Sequence, residues 1–279
     1  MIMSLSRVQS QKTLISEIPM GFIVDTQWFT LRGVTPKSIH YYVQQGWIER
    51  IVRGVYRRPL PSWTNSTDLP WQVVLLSLQH LMDYNIHLGA KDALDFNGRS
   101  NYVGFRDAQH AHFYGHAPSW IKRLHATRKI TVHNTSMFNN SSLGLIERPQ
   151  IYYSLDWAED IWQWPFKVSS NERAILELIN MLPNKTSFEY VKKILRMARW
   201  MQPELLMDLL KVCRSVKVKR LLFVLSELLE LEWLEELDPN EIDFGTGPRS
   251  LVPSGIFDAT YNISLPKDFV NPLHHGRNL

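Results

Sequence analysis

The sequence predicts a mixed α/β chain of several modules, opening with three short helices and a hairpin. Three observations lead there. Helix starts and stops crowd the first forty-five residues, short β-forming runs alternate with glycine and asparagine breaks between residues 86 and 153, and helix signals return strongly after residue 169. At 279 residues with 44% hydrophobic content the chain can bury a large core, and its length suggests two or three modules.

The elements follow in order. Leu5, Val8, Leu14, Ile15 and Ile18 recur at helical spacing and predict a first helix ending at Pro19 and Gly21. Asp25 is a suitable N-cap for a second helix through Trp28 and Leu31, stopped by Gly33. Thr35 followed by Pro36 opens a third helix that runs to Gly46. The segment 47–58 is rich in β-formers with Arg53 and Gly54 at its middle, as in a hairpin with glycine in the turn. Helix, helix, helix, hairpin is the order of a winged helix-turn-helix.

Residues 59–70 (PLPSWTNSTDLP) read as a linker. Beyond it, 71–84 looks helical, and β-like runs are expected at 101–105, 110–114, 129–133 and 151–155. Ser169 with Glu172, and Thr186 with Glu189, have capping-box spacing, and Pro203 suits a helix start. Helices are expected over 205–213 and 216–231, with strand-like segments from 242 to 266. The expected domains are therefore 1–60, a winged helix-turn-helix; 61–70, a linker; 71–168, a mixed α/β module; and 169–279, a helical and β C-terminal domain.

Charge is unevenly spread although the net value is only +4. Residues 1–60 hold eight Lys/Arg against three acids, and 185–220 hold ten against three. From 221 to 248 there is no Lys or Arg, while Glu227, Glu230, Glu232, Glu235, Glu236, Asp238, Glu241 and Asp243 supply eight negatives. In that acidic stretch Leu225, Leu228, Leu229 and Leu231 are expected to form a helix core with the glutamates facing water.

On the third helix a 100° step puts Ile39 and Val43 inward with Tyr42 flanking, leaving Lys37, Ser38, Tyr41, Gln44 and Gln45 facing out. Those groups suit base edges and phosphates in a major groove. The hairpin adds Arg50, Arg53, Arg57 and Arg58, with Gly54 letting the turn approach a nucleic-acid backbone. Together these residues are the expected double-stranded DNA contacts. A basic helical subdomain used for protein contacts is the alternative.

Catalysis is not expected. No Walker loop, G-x-S-x-G, H-E-x-x-H or dinucleotide fingerprint is present, and Asp243-Phe244-Gly245 lacks the other kinase motifs. His110, His112 and His116 read as strand or core histidines, so neither metal nor cofactor is expected. The single cysteine, Cys213, excludes an internal disulfide framework and suits a reduced cytoplasm. No signal-peptide core and no apolar stretch of membrane-spanning length is seen, so a soluble, cytoplasmic protein is expected.

The runs LRGVT (31–35) and GWIERIVRGVY (46–56), followed by Pro59, resemble the N-terminal winged helix of AbiEi-type antitoxins. CRSVKVKRL (213–221), IDFGTGPR (242–249) and YNISLP (261–266) are similar to the C-terminal domain of the same family. The resemblance implies a repressor of its own operon that binds promoter inverted repeats. It also implies an antitoxin of a type IV, abortive-infection system, acting against a nucleotidyltransferase toxin without a stable complex. It places Arg50, Arg53, Gly54 and Tyr56 in the wing, Tyr56 as a packing residue. Lys217, Lys219 and Arg220 match its basic positions and would form a second surface toward DNA or RNA, unless they are a solvated helix face. The competing reading is a non-enzymatic RNA- or protein-binding regulator that uses the winged helix as an adaptor.

Overall fold

The computed structural model describes residues 12–62, 68–99, 109–140, 142–149 and 164–267. The β-like runs expected at 101–105 and 151–155, and the first turns of the first helix, lie outside them. The chain forms two compact units, each discontinuous in sequence. The first comprises residues 1–88, 106–134 and 147–168; the second comprises 89–105, 135–146 and 169–279.

In the first unit, helical residues 12–16 lead into strand β1 (Ile23–Asp25), helix α1 (Thr26–Leu31) and helix α2 (Pro36–Gln44). Asp25 ends the strand and starts the helix, its carboxylate accepting from the Trp28 N–H at 2.9 Å. Thr35 does the same for Ser38 at 3.3 Å, with Pro36 in the first helical position, where its missing N–H costs nothing. Strands β2 (Glu49–Val52) and β3 (Val55–Arg57) make the hairpin, and β1 pairs antiparallel with β3, so the sheet order is β1-β3-β2. Three residues are too few for alternation to show, so β1 was not legible in the sequence. It forms because β3 presents a backbone edge that needs partners.

The core of this region is Ile15, Ile18, Phe22, Trp28, Phe29, Ile39, Tyr42, Ile48 and Val55. On α2 the expected inner face needs correcting. Tyr42 is 1% exposed and stacks on Trp47 at 5.6 Å, whereas Val43 is only half-buried. The larger ring takes the central position because it reaches both Trp47 and Phe29, the latter at 6.4 Å.

Helix α3 (Trp71–Leu76) continues as a π-helical turn (Ser77–Leu81), whose Ser77 hydroxyl accepts from the Ile23 N–H at 3.1 Å. Strands β4 (Ile86–Leu88), β5 (His110–Gly115), β6 (Lys129–His133), β7 (Leu145–Arg148) and β8 (Phe166–Ser169) follow in the sheet order β6-β5-β4-β8-β7. β5 and β6 stand where the alternation predicts them. They run parallel, while β4 is antiparallel to β5. The Gln79 amide spans the β4–β8 pair, donating to the Ile86 and Lys167 carbonyls and accepting from the Lys167 N–H. At the end of β5 the chain passes hard against the start of β4. Gly115 has φ +139, and a Cβ there would lie 2.2 Å from the Asn85 carbonyl oxygen.

The second unit is mostly helical: α4 (Ala90–Phe96), α5 (Asn171–Asn180), α6 (Phe188–Arg196), α7 (Pro203–Val212) and α8 (Val216–Leu228), closed by β9 (Ile256–Asp258) paired with β10 (Ile263–Leu265). α5 is buried from Glu172 to Ile179. Its Arg173 and Glu177 form a fully buried ion pair at 3.0 Å. Ser169 and the Ala90 N–H also donate to Glu177, and Arg173 donates to the Leu143 carbonyl at 2.6 Å. These bonds offset part of the cost of removing the two groups from water, although Arg173 Nη2 is buried without a hydrogen-bond partner among the described residues.

Two capping expectations shift by one residue. Ser170, not Ser169, accepts from the N–H of Arg173, and Ser187, not Thr186, accepts from that of Tyr190. Ser169 is instead committed to Glu177, and Glu172 accepts from the Gln202 N–H at 3.1 Å. In the acidic stretch, α8 ends at Leu228 and Glu230 turns the chain with φ +52. The core is therefore carried by Leu225, Trp233, Leu237 and Ile242, while Leu228, Leu229 and Leu231 are half-buried.

Candidate nucleic-acid interface

Helix α2 has one face locked into the core by Ile39 and Tyr42, which sets the direction of the other face. Lys37, Tyr41, Gln44 and Gln45 are exposed on it, Tyr41 by 40% and braced edge-on against Trp47 at 5.7 Å. Ser38 is half-buried, and its hydroxyl lies 3.1 Å from that of Thr35. It therefore works mainly at the helix start. The Lys12 ammonium lies 5.6 Å over the Trp47 ring.

The hairpin divides its four arginines. Arg50 and Arg53 are exposed. Arg57 is 7% exposed, pairs with Glu49 at 2.6 Å and donates to the Asp68 carbonyl, while Arg58 donates to the Ile18 carbonyl at 2.8 Å. Arg57 and Arg58 thus hold the hairpin and the first helical segment in place instead of joining an outer face. The carboxylate and carbonyls that claim Arg57 and Arg58 separate them from Arg50 and Arg53. Gly54 is glycine for its own conformation. Its φ is +83, and its carbonyl accepts from the Thr26 N–H at 3.0 Å, tying the turn to the start of α1. Tyr56 packs edge-on against Phe29 at 5.8 Å.

One neighbour of the turn was missed at sequence level. The 3-10 turn Ser119–Arg123 buries Trp120 and Ile121 and exposes Lys122 and Arg123. The Arg123 guanidinium donates to the Arg53 carbonyl at 3.2 Å. The only signal was the basic pair closing the run WIKR, seventy residues from Arg53.

Lys217, Lys219 and Arg220 do not form an outer surface. The Lys217 ammonium donates to the carbonyls of Asn180 and Leu182 at 2.7 and 2.9 Å, closing the C-terminal end of α5, and burial lowers its pKa. Lys219 is 4% exposed. Arg220, 1% exposed, donates to four carbonyls, those of Phe244, Gly245, Gly247 and Asn262, and so holds the loop after the acidic stretch.

The histidines of β5 also have structural partners. His110 meets the Thr131 hydroxyl at 3.1 Å, and His112 meets His133 at 2.8 Å. Among the described residues, no group of three or more His, Cys, Asp or Glu side chains is placed to hold a metal ion. No helix among them is long and apolar enough to cross a membrane.

Comparison with known proteins covers most of the chain. Residues 7–105 match the model described as the N-terminal domain of a transcriptional regulator, AbiEi antitoxin, and residues 109–266 match the model described as a transcriptional regulator, AbiEi antitoxin, of type IV TA systems. Among solved structures, the fold is similar to the crystal structure of the RV2827C protein from Mycobacterium tuberculosis. The two share 15% identity over 87% of this chain and 85% of that one, with a TM-score of 0.53. No curated protein matches the chain in a sequence search.

Proposed function

Because the chain belongs to the AbiEi family of transcriptional regulators, the antitoxins of type IV toxin-antitoxin systems, we propose that it binds inverted repeats in its own promoter through an N-terminal winged helix-turn-helix and represses its operon. On this reading α2 is the recognition helix and the β2–β3 hairpin is the wing. The observation that carries it is the outward row Lys37, Tyr41, Gln44 and Gln45 on a helix whose opposite face is locked by Ile39 and Tyr42. The sheet order β1-β3-β2, with β1 preceding the two helices, supports the winged-helix assignment. Gln44 and Gln45 suit bidentate pairing with adenine, while Lys37, Arg50 and Arg53 suit phosphate. Repeated half-sites would seat two copies per operator.

The same reading makes the protein a cytoplasmic antitoxin of an abortive-infection system, a phage defence. It counters a nucleotidyltransferase toxin without a stable complex and has no catalytic role of its own. The test of the DNA reading is a gel shift on the upstream region of the protein's own reading frame, with competitor DNA and at two salt concentrations. The expected result is a discrete complex that survives competitor and weakens with salt. Gln44→Ala should lower affinity for the specific site by about fivefold or more, at about 1–3 kcal/mol per bidentate base contact, and leave non-specific binding unchanged. A shift abolished by competitor would instead favour the RNA- or protein-adaptor reading.

A further inference from the structure

We propose that the 3-10 turn Ser119–Arg123 is a second phosphate-binding element of the DNA interface, with Lys122 and Arg123 contacting the sugar-phosphate backbone beside the hairpin turn. This rests on the DNA-binding reading above. The element is rigidly placed. The Trp120 indole donates to Asp25 Oδ2 at 3.0 Å, and the other oxygen of Asp25 caps α1. Arg123 donates to the carbonyl of Arg53, while Gly54 is tied to Thr26, so the 3-10 turn, the hairpin turn and the start of α1 form one assembly. Trp120 and Ile121 face inward at 7% and 4% exposure, while Ser119, Lys122 and Arg123 are exposed, the last two being its charged groups.

The electrostatics favour an anion there. Arg123 is placed on the peptide of another exposed arginine, with Lys122 adjacent, and like charges held together repel until a counter-charge arrives. Asp25, the acid joined to this assembly, is 5% exposed and its two oxygens are occupied by Trp28, Trp120 and Tyr84. Arg123 uses one donor on the Arg53 carbonyl. Its remaining N–H groups, and the ammonium of Lys122, make no hydrogen bond among the described residues. Arginine presents five donors in a fork, so most of its phosphate-binding capacity is open. Contacts of this kind add affinity without reading sequence.

The experiment is fluorescence anisotropy of the full chain with the upstream duplex and with a random-sequence duplex of equal length, from about 50 to 200 mM salt. Lys122→Ala and Arg123→Ala should each reduce the slope of log K against log salt by about 0.9 on both duplexes. Arg123→Lys should keep the slope, since the charge remains. Lys122→Ala touches neither the hairpin nor Asp25, so it reports charge without loss of structure. Unchanged slopes, or weaker binding at unchanged slope, would overturn the proposal and leave Arg123 a structural support of the turn. Salt-dependent binding to the random duplex alone would remove the operator reading while retaining this one. No binding of the wild type to either duplex would overturn both.

Discussion

Asp25 accepts from the Trp28 N–H, the Trp120 indole and, at 3.4 Å, the Tyr84 hydroxyl, all within a site 5% exposed. Asp25→Ala removes a helix cap worth about 1 kcal/mol and strands donors that cost about 1–3 kcal/mol when buried unpaired. Urea denaturation should show a loss of about 2–4 kcal/mol with little change in m. At Gly115 the positive φ and the 2.2 Å approach of the Asn85 carbonyl both exclude a side chain, so Gly115→Ala should cost more than about 3 kcal/mol or yield insoluble protein. Tyr261 donates to the Glu227 carboxylate, and burial, together with that carboxylate, raises its pKa well above the ordinary value of 10.0. The folded state therefore keeps a proton that the unfolded state releases near pH 10. The stabilisation is complete below that pH and lost as pH rises toward the folded value. Urea midpoints measured from pH 8 to 11 should fall with pH in the wild type and less steeply in Tyr261→Phe. The capping role of Asp25 was legible because Trp28 is three residues away. Its partners Tyr84 and Trp120 were not, because no local pattern joins residues 59 and 95 positions apart.

Helices announce their ends more clearly than their exact caps. Thr35-Pro36 and Asp25 were readable because each side chain serves the nearest N–H groups. At 169–172 and 186–189 the spacing was present, but neighbouring serines do the capping. Ser187→Ala should destabilise by about 1 kcal/mol, whereas Thr186→Ala should stay within about 0.5 kcal/mol, as thermal or urea unfolding would show. Strand β1 and the π-helical turn after α3 left no mark in the sequence, since one exists for the edge of β3 and the other serves Ile23 through Ser77. The candidate interface divides in the same way. The outer row of α2 followed from helical period, because Ile39 and Tyr42 orient it. Arg57 and Arg58 join the expected face through the hairpin's basic charge, and Lys217, Lys219 and Arg220 through the family resemblance, and neither distinguishes an exposed cation from one that holds carbonyls together.

Both compact units are assembled from segments distant in sequence. The C-terminal segment 169–279 lacks residues 89–105 and 135–146 of its own unit, including the Ala90 N–H and the Leu143 carbonyl that serve Glu177 and Arg173. Produced alone, it should leave that buried ion pair partly unsatisfied. Weak near-ultraviolet circular dichroism and dye binding are expected, whereas a cooperative melt would show that the segment folds by itself. By itself the sequence determined most of the helices, the hairpin, the strand runs at 110–114 and 129–133, and the outward face of α2, since each follows from periodicity and capping over a few residues, whereas the helix Ala90–Phe96 and the parallel pairing of those two strands did not show there. Tertiary structure alone decided which cations remain outside, that Lys122 and Arg123 flank the hairpin turn, and how the segments combine. Those outcomes depend on burial and on hydrogen bonds between residues far apart in the chain, which local sequence cannot encode.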